Sequence, residues 1–283
     1  MTESIGIVAR LDRWEALDLA LKISKRFEQD GFRVFFEPDL AEQIRRRGLA
    51  KPLEEMCVDL IVTIGGDGTI LRTCLRIPKP EPPLLAVDMG ARGFLTEVPP
   101  ERALEAVDQY LKGSYNIECH SKIASFIGDF RLPDALNEVF VTSRHLAKLL
   151  HVKVWKNDVE VAECRADGVI IASQVGSTAY SFSSGGPIID PEVDALVLTP
   201  VCPVNLIRPI VFSSKSRITI EILKPKVASI VIDGDYMRNI GDGELKVNVR
   251  ISEHKSRFVR FEQNFYRRLK ARLLFSREEE EQL

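Results

Sequence analysis

The chain has 283 residues, 45% hydrophobic and 28% charged, which suits one large or two ordinary soluble domains. A formal net charge of −2 with scattered Lys and Arg provides no field for nucleic acid or an anionic membrane surface. The five cysteines lie far apart without a C-x-x-C pair, the opening residues lack a signal-peptide pattern and no run reaches membrane-span length, so a cytoplasmic protein without disulfide framework or structural zinc is expected.

Residues 4–9 read as a short apolar strand. Residues 13–29 carry helical spacing through Trp14, Leu17, Leu21 and Phe27 and stop at Asp30-Gly31, a helix-ending pair. A second strand is expected over 32–36 and weaker helices over 40–47 and 53–57. Arg45-Arg46-Arg47 reads as a solvated helix end rather than a phosphate contact. The run 59–64 is compact, β-branched and not alternating, as in a strand covered on both faces.

That strand runs into Gly65-Gly66-Asp67-Gly68-Thr69, and the spacing of Ile70, Leu71, Cys74 and Leu75 predicts a helix capped by Thr69. Glycine lets backbone approach a ligand, and a helix start aims free N–H groups and partial positive charge at it. Strand, glycine loop and helix start make a phosphate cradle from Gly65, Gly66, Gly68, Thr69 and Arg72. Asp-Gly is also a common hairpin signal, but helical rather than strand spacing follows it. Asp67 is the odd member. An anion in an anion site has to serve metal binding, proton abstraction or a sugar hydroxyl.

A proline-rich connector over 78–83 leads to a strand over 84–87 and to a second glycine loop, 88–96, then a helix over 99–111 ending at Gly113. The alternation implies a parallel sheet with ligands at the carboxyl ends of its strands, where both glycine loops lie. The dinucleotide fingerprint G-x-G-x-x-G after the first strand is missing, so a nucleotide is not held in the ordinary dehydrogenase way.

From about residue 115 the pattern turns to short strands divided by turn residues: 123–127, 135–142, 151–155, 159–162, 168–172, 195–199, 217–223, 229–232 and 245–251. Lys156-Asn157-Asp158 is a hairpin turn. Helical spacing is nearly absent until 263–274, where Phe265, Leu269, Leu273 and Leu274 mark a helix before the acidic tail 278–281. The expected fold is an α/β Rossmann-like domain over 1–114, an antiparallel β-sandwich domain over 115–262, and a terminal helix and tail over 263–283 that packs back on the first domain. Two stretches look wrong for a plain sandwich. Asn137-Glu138 puts an amide and a carboxylate in an apolar run, and the bland account is an edge-strand polar pair. The stretch 165–187 flanks a buried strand with Arg165 and Asp167 on one side. On the other it places Thr178, Ser181 and Ser183 as donors, Tyr180 as a face for a base, and Gly185-Gly186 for close approach. This second stretch reads as a binding loop.

Together, Gly65-Gly66-Asp67-Gly68-Thr69, Asn137-Glu138, Asp167-Gly168, Gly176-Ser177-Thr178-Ala179-Tyr180 and Gly185-Gly186-Pro187 resemble the NAD kinase family over nearly the whole chain. The loop over 90–96, the stretch over 198–203 and Arg208-Pro209-Ile210-Val211 also look like family segments. The glycine loop alone is shared with lipid and sugar kinases; the third motif discriminates. The resemblance implies phosphoryl transfer from ATP, another nucleoside triphosphate or polyphosphate to the 2′-hydroxyl of the adenosine ribose of NAD, with Mg²⁺ or another divalent cation arriving with the nucleotide. It implies that Asp67, with Gly68, sits by that hydroxyl and accepts its proton. Asn137 and Glu138 hold the adenine and ribose, and Arg165 and Asp167 face the nicotinamide end. Thr178, Ala179, Tyr180, Ser181 and Ser183 line the pocket, and Lys148 is near the ligand. It implies an active site between the two domains and a homodimer or homotetramer, with neither nucleic acid nor membrane as partner. The chain departs from the family pattern at Asp88, at Asp235 and at Pro203-Val204-Asn205-Leu206. A lipid or sugar kinase sharing the glycine loop, and a non-catalytic NAD sensor, are the competing readings.

Overall fold

The structure, a computed structural model, describes residues 3–90, 93–145, 148–205, 207–241, 243–262 and 265–270. The chain divides into two compact units, one made of Met1–Cys119 with Arg257–Leu283, the other of His120–Ser256.

The first unit opens with β1 (Ser4–Ala9), α1 (Trp14–Gln29), β2 (Arg33–Phe36), α2 (Pro38–Gln43), β3 (Leu60–Gly65), α3 (Asp67–Arg76), β4 (Leu84–Asp88) and α4 (Ala103–Leu111). Strands β2, β1, β3 and β4 pair in parallel in that order. Every residue of β1 and β3 is buried, which is why these runs are apolar without alternation. Helix α1 buries Ala16, Leu19, Ala20, Ile23 and Phe27 along one stripe. It ends where Gly31 takes φ +85°, a conformation glycine enters without steric cost. Arg26 Nε donates to Asp108 Oδ1 at 2.7 Å, joining α1 to α4. The weak helices expected over 40–47 and 53–57 are shorter than read: α2 stops at Gln43, and single 3₁₀ turns cover Arg47–Leu49 and Leu53–Glu55.

The chain passes to the second unit within β5 (Asn116–Ile127). There follow β6 (Phe130–Arg131), β7 (Glu138–Ser143), β8 (Leu150–Lys156), β9 (Val159–Ala166), β10 (Gly168–Ala172), α5 (Tyr180–Ser183), β11 (Ala195–Val201), β12 (Ile210–Ser213), β13 (Ile218–Lys224), β14 (Ala228–Ile232), β15 (Tyr236–Ile240) and β16 (Lys246–Arg260). A six-stranded antiparallel sheet runs in the order β12-β11-β10-β7-β14-β15. A second antiparallel set joins β16, β13, β8 and β9, and β5 pairs with β6. Asn157 and Asp158, with φ of 46° and 69°, turn the β8–β9 hairpin. The chain returns to the first unit at the end of β16, where Phe258 pairs in parallel with Leu84 of β4, and continues to α6 (Phe265–Leu269).

Two expectations need correction here. Asn137-Glu138 does not sit on an edge strand, because β7 lies inside the six-stranded sheet with β10 on one side and β14 on the other. Helical structure does not wait until residue 263 either: a 3₁₀ turn at Val175–Thr178 and α5 fall within the glycine-rich stretch, both too short to show a period. Helix α6 packs on the first unit through Phe265, whose ring meets that of Phe94 edge-on at 5.5 Å. Leu273, Leu274 and the acidic tail lie outside the described residues, as do Ala91, Arg92, Leu206 and Gln263.

Candidate functional site

In the first unit the glycine loop is the turn from β3 into α3. The helix starts at Asp67 rather than after Thr69. Gly66 is its N-cap residue, extended at φ −104° and ψ −169°, and no side chain caps it. Thr69 therefore sits in the first turn and is not the cap. Its N–H bonds back to Gly66 O at 3.0 Å, and a Cβ on Gly65 would stand 2.2 Å from its Oγ1. Gly65 is thus small for the sake of Thr69. Gly66 and Gly68 differ, since a Cβ on either would meet nothing within 4 Å. That open side is where backbone can approach a ligand.

Asp67 is fixed by the second glycine loop. Its Oδ2 accepts from Phe94 N at 2.7 Å and its Oδ1 from Leu95 N at 3.0 Å. Asp88 organises the same loop, accepting from Gly90 N at 3.0 Å, Gly93 N at 2.7 Å and Thr96 Oγ1 at 3.2 Å. One carboxylate at the end of β4 and one at the start of α3 therefore share a loop between them. Arg72 turns its guanidinium fork to Glu37, with Nη2 at 2.7 Å from Oε2, so reaching a phosphate would mean leaving that carboxylate.

In the second unit Asn137 and Glu138 are buried at the start of β7. The turn that delivers them is held by Asp233, whose carboxylate accepts from Leu136 N at 2.7 Å, Asn137 N at 2.8 Å and Glu138 N at 3.0 Å. Asp233 takes φ +49° in the turn after β14, and its own N–H donates to Glu138 O at 3.1 Å. Burial pushes Asp233 up to about 6, against the downward pull of those three N–H groups and of Lys122, itself fully buried. Glu138 is pushed up to about 8 by burial first and by Asp233 second, and its Oε2 has no hydrogen-bond partner.

Ser173, at the end of β10, ties the glycine-rich stretch to this turn. Its N–H donates to Asn137 O at 2.8 Å, its hydroxyl donates to Leu136 O at 2.5 Å, and Gly176 N donates to the same Oγ at 3.0 Å. A Cβ on Gly176 would come 2.0 Å from Asn137 O, so the two backbones touch at a position that admits only glycine.

The remaining residues divide by exposure. Tyr180 is 41% exposed, and its ring stands edge-on to Phe140 at 5.2 Å. Its hydroxyl is held above the usual tyrosine range by burial first, then by Cys202, Asp167 and Glu138. Arg165 and Asp167 are exposed, alternating with buried Cys164, Ala166 and Gly168, so they project to one side. Lys148 and Ser183 are exposed, and Ala179 is half-buried. Ser181 is buried and its hydroxyl bonds Thr199 Oγ1 at 2.8 Å, while Thr178 Oγ1 donates to Val175 O at 3.0 Å. Asn205 Oδ1 accepts from Arg165 N at 3.2 Å. Asp235 is exposed. Asp233 and Ser173, which organise this turn, carry no sequence signal beyond a polar residue directly after an apolar strand.

The sequence matches the ATP-NAD kinase N-terminal domain over residues 5–115 and the ATP-NAD kinase C-terminal domain over residues 136–261. It is 43% identical over 273 residues to an NAD kinase of Methanothermobacter thermautotrophicus, covering 95% of this chain and 96% of that one. Among solved structures it resembles an NAD kinase from Archaeoglobus fulgidus in complex with ATP, with a TM-score of 0.78, 29% identity and coverage of 95% and 97% of the two chains. A yeast NADH kinase complexed with NADH shares the fold, with a TM-score of 0.87 at 24% identity over 96% of this chain and 87% of that one.

Proposed function

This chain belongs to the NAD kinase family, and we propose that Asp67 is the base of its reaction. The activity is ATP-dependent phosphorylation of NAD. The acceptor we assign is the 2′-hydroxyl of the adenosine ribose. Its oxygen attacks the terminal phosphorus of ATP, ADP leaves, and the hydroxyl proton passes to Asp67, giving NADP. Such a transfer asks the protein mainly for alignment and charge neutralisation. The observation that carries the base assignment is the placing of Asp67 at the first residue of α3, its carboxylate aimed by Phe94 N and Leu95 N beside the open glycines Gly66 and Gly68.

Gly65, Gly66, Gly68 and Thr69 form the phosphate side in this reading, with Arg72 available once it leaves Glu37. Asn137 and Glu138 take the adenine and ribose, and Arg165 and Asp167 the nicotinamide end. Lys148, Thr178, Ala179, Tyr180, Ser181 and Ser183 complete the NAD contacts. In this reading a divalent cation such as Mg²⁺ enters with ATP, as this ion is usually held through substrate phosphates. The proposal includes a homo-oligomer, dimer or tetramer, in the cytoplasm; no helix among the described residues is long and apolar enough to cross a membrane.

Incubation with NAD, ATP and Mg²⁺ tests the reaction, with NADH and polyphosphate as alternates. NADP is the expected product; binding of NAD without product would favour a sensor. Asp67→Asn should lower turnover roughly 10²–10⁴-fold. Turnover close to that of the unaltered chain would remove the base role.

A further inference from the structure

The loop that holds Asp67 is itself held from its other side by the end of β16 and by the chain's last described helix, α6. Residues Phe94 and Leu95 give their N–H groups to Asp67. The carbonyl groups of the same stretch go to two arginines: Leu95 O accepts from Arg260 Nη1 at 2.9 Å and Thr96 O from Arg268 Nη1 at 3.0 Å. Glu97, its side chain only 4% exposed, accepts from Arg260 Nη1 at 3.0 Å, Arg268 Nη1 at 3.4 Å and Phe261 N at 2.8 Å. Phe265, one turn before Arg268, sets its ring against Phe94. Arg268 is 17% exposed, its Nε has no hydrogen-bond partner, and burial together with neighbouring Arg260 lowers its pKa from the usual arginine value. Burying a guanidinium at this cost makes sense only through the contacts it makes, and those contacts are to the loop.

We infer that Arg268 is a positioning residue for Asp67, acting through the peptides of Phe94 to Glu97. The inference rests on Asp67 as the base, and its test separates the two. Arg268→Ala and Arg268→Lys are made in the full chain, each alone and combined with Asp67→Asn. Amide hydrogen exchange at Phe94 and Leu95 is read first, because it does not depend on the reaction. Arg268→Ala should speed it on the order of tenfold, and Arg268→Lys, which keeps a donor for Thr96 O, should stay near the unaltered chain. In the same variant kcat should fall on the order of tenfold with KM for NAD and ATP little changed. In the Asp67→Asn background that fall should vanish, since the group being positioned is gone.

Unchanged exchange at Phe94 and Leu95 overturns the inference, and so does a kcat loss that persists undiminished beside Asp67→Asn. Near-normal turnover of Asp67→Asn alone removes the base reading, and exchange then decides whether Arg268 orders the loop. Should Arg268→Ala fail to fold, Arg268→Met, which keeps the length of the side chain but no donor for Thr96 O, carries the same comparison.

Discussion

Gly93 and Asp67 are matched by the lack of a side chain on the first: a Cβ at Gly93 would lie 2.3 Å from Asp67 Oδ1. The same atom would also crowd Thr96, 2.6 Å from its Cγ2. Gly93→Ala must therefore displace either the carboxylate or the loop that aims it. Steady-state kinetics should show kcat lower by about 10–100-fold, a misplacement effect, with a thermal midpoint within a few degrees of the unaltered chain. Unchanged kcat would mean that the aim of Asp67 does not matter.

Gly176→Ala is expected to act on binding. Its new methyl meets backbone, Asn137 O at 2.0 Å, and backbone cannot swing away as a side-chain tip can. The strain should cost about 1–3 kcal/mol of stability. It should also raise KM for NAD more than KM for ATP, because Asn137 and Glu138 are the residues pushed. An equal rise in both would separate this turn from NAD.

Asp233→Ala removes the acceptor of three buried N–H groups at once. Each buried donor left unsatisfied costs about 1–3 kcal/mol, so denaturant unfolding should show a loss of several kcal/mol, reduced by any water that enters. Asp233→Asn keeps one acceptor oxygen and should cost less. The two variants losing equal stability would argue against the carboxylate as the organiser.

Stability should also depend on pH through Glu138. Its carboxyl titrates near 8 in the folded chain, raised by burial and by Asp233, and in the ordinary carboxylate range once unfolded. Between those values the folded state binds the extra proton, so stability is fully present below the window and falls as pH rises through it. Asp233, pushed up to about 6, contributes with the same sign at lower pH. Glu138→Gln should flatten the upper part of the decline, melting higher than the unaltered chain near pH 9 and close to it near pH 5. Parallel melting curves across that range would contradict the shift.

Where burial acts on both faces or on alternate residues, the elements were legible in the chain. Strands β1, β3 and β4 show as apolar runs, and β8 and β13 show alternation through Val152, Val154, Ile218 and Ile220. What failed were relations that no local window contains. Glu138 leaves the edge because its strand finds β10 and β14 as partners, both remote in sequence. Asp233 reaches the turn before β7 across 95–97 residues. Thr69 has the chemistry of a cap, but the backbone of Gly66 starts the helix earlier. Of the candidate site, the glycine loop and the polar pair could be found by composition and spacing, since clustered glycines and a carboxylate in an apolar run are unusual there. Their supports, Ser173, Glu97 and Arg268, look like ordinary polar residues until the fold brings them together.

The first unit is assembled from two separated pieces of chain, and this sets an order of events at the ribosome. Residues 120–256 of the second unit emerge whole before Arg260 and Arg268 exist. Until then Glu97 has neither arginine beside it and β4 has no Phe258 along its edge. A nascent chain stalled before residue 257 therefore holds the glycine loop without the segment that braces Asp67. Newly made protein thus has Phe94 and Leu95 to aim Asp67 before it has the arginines that hold their loop from the other side.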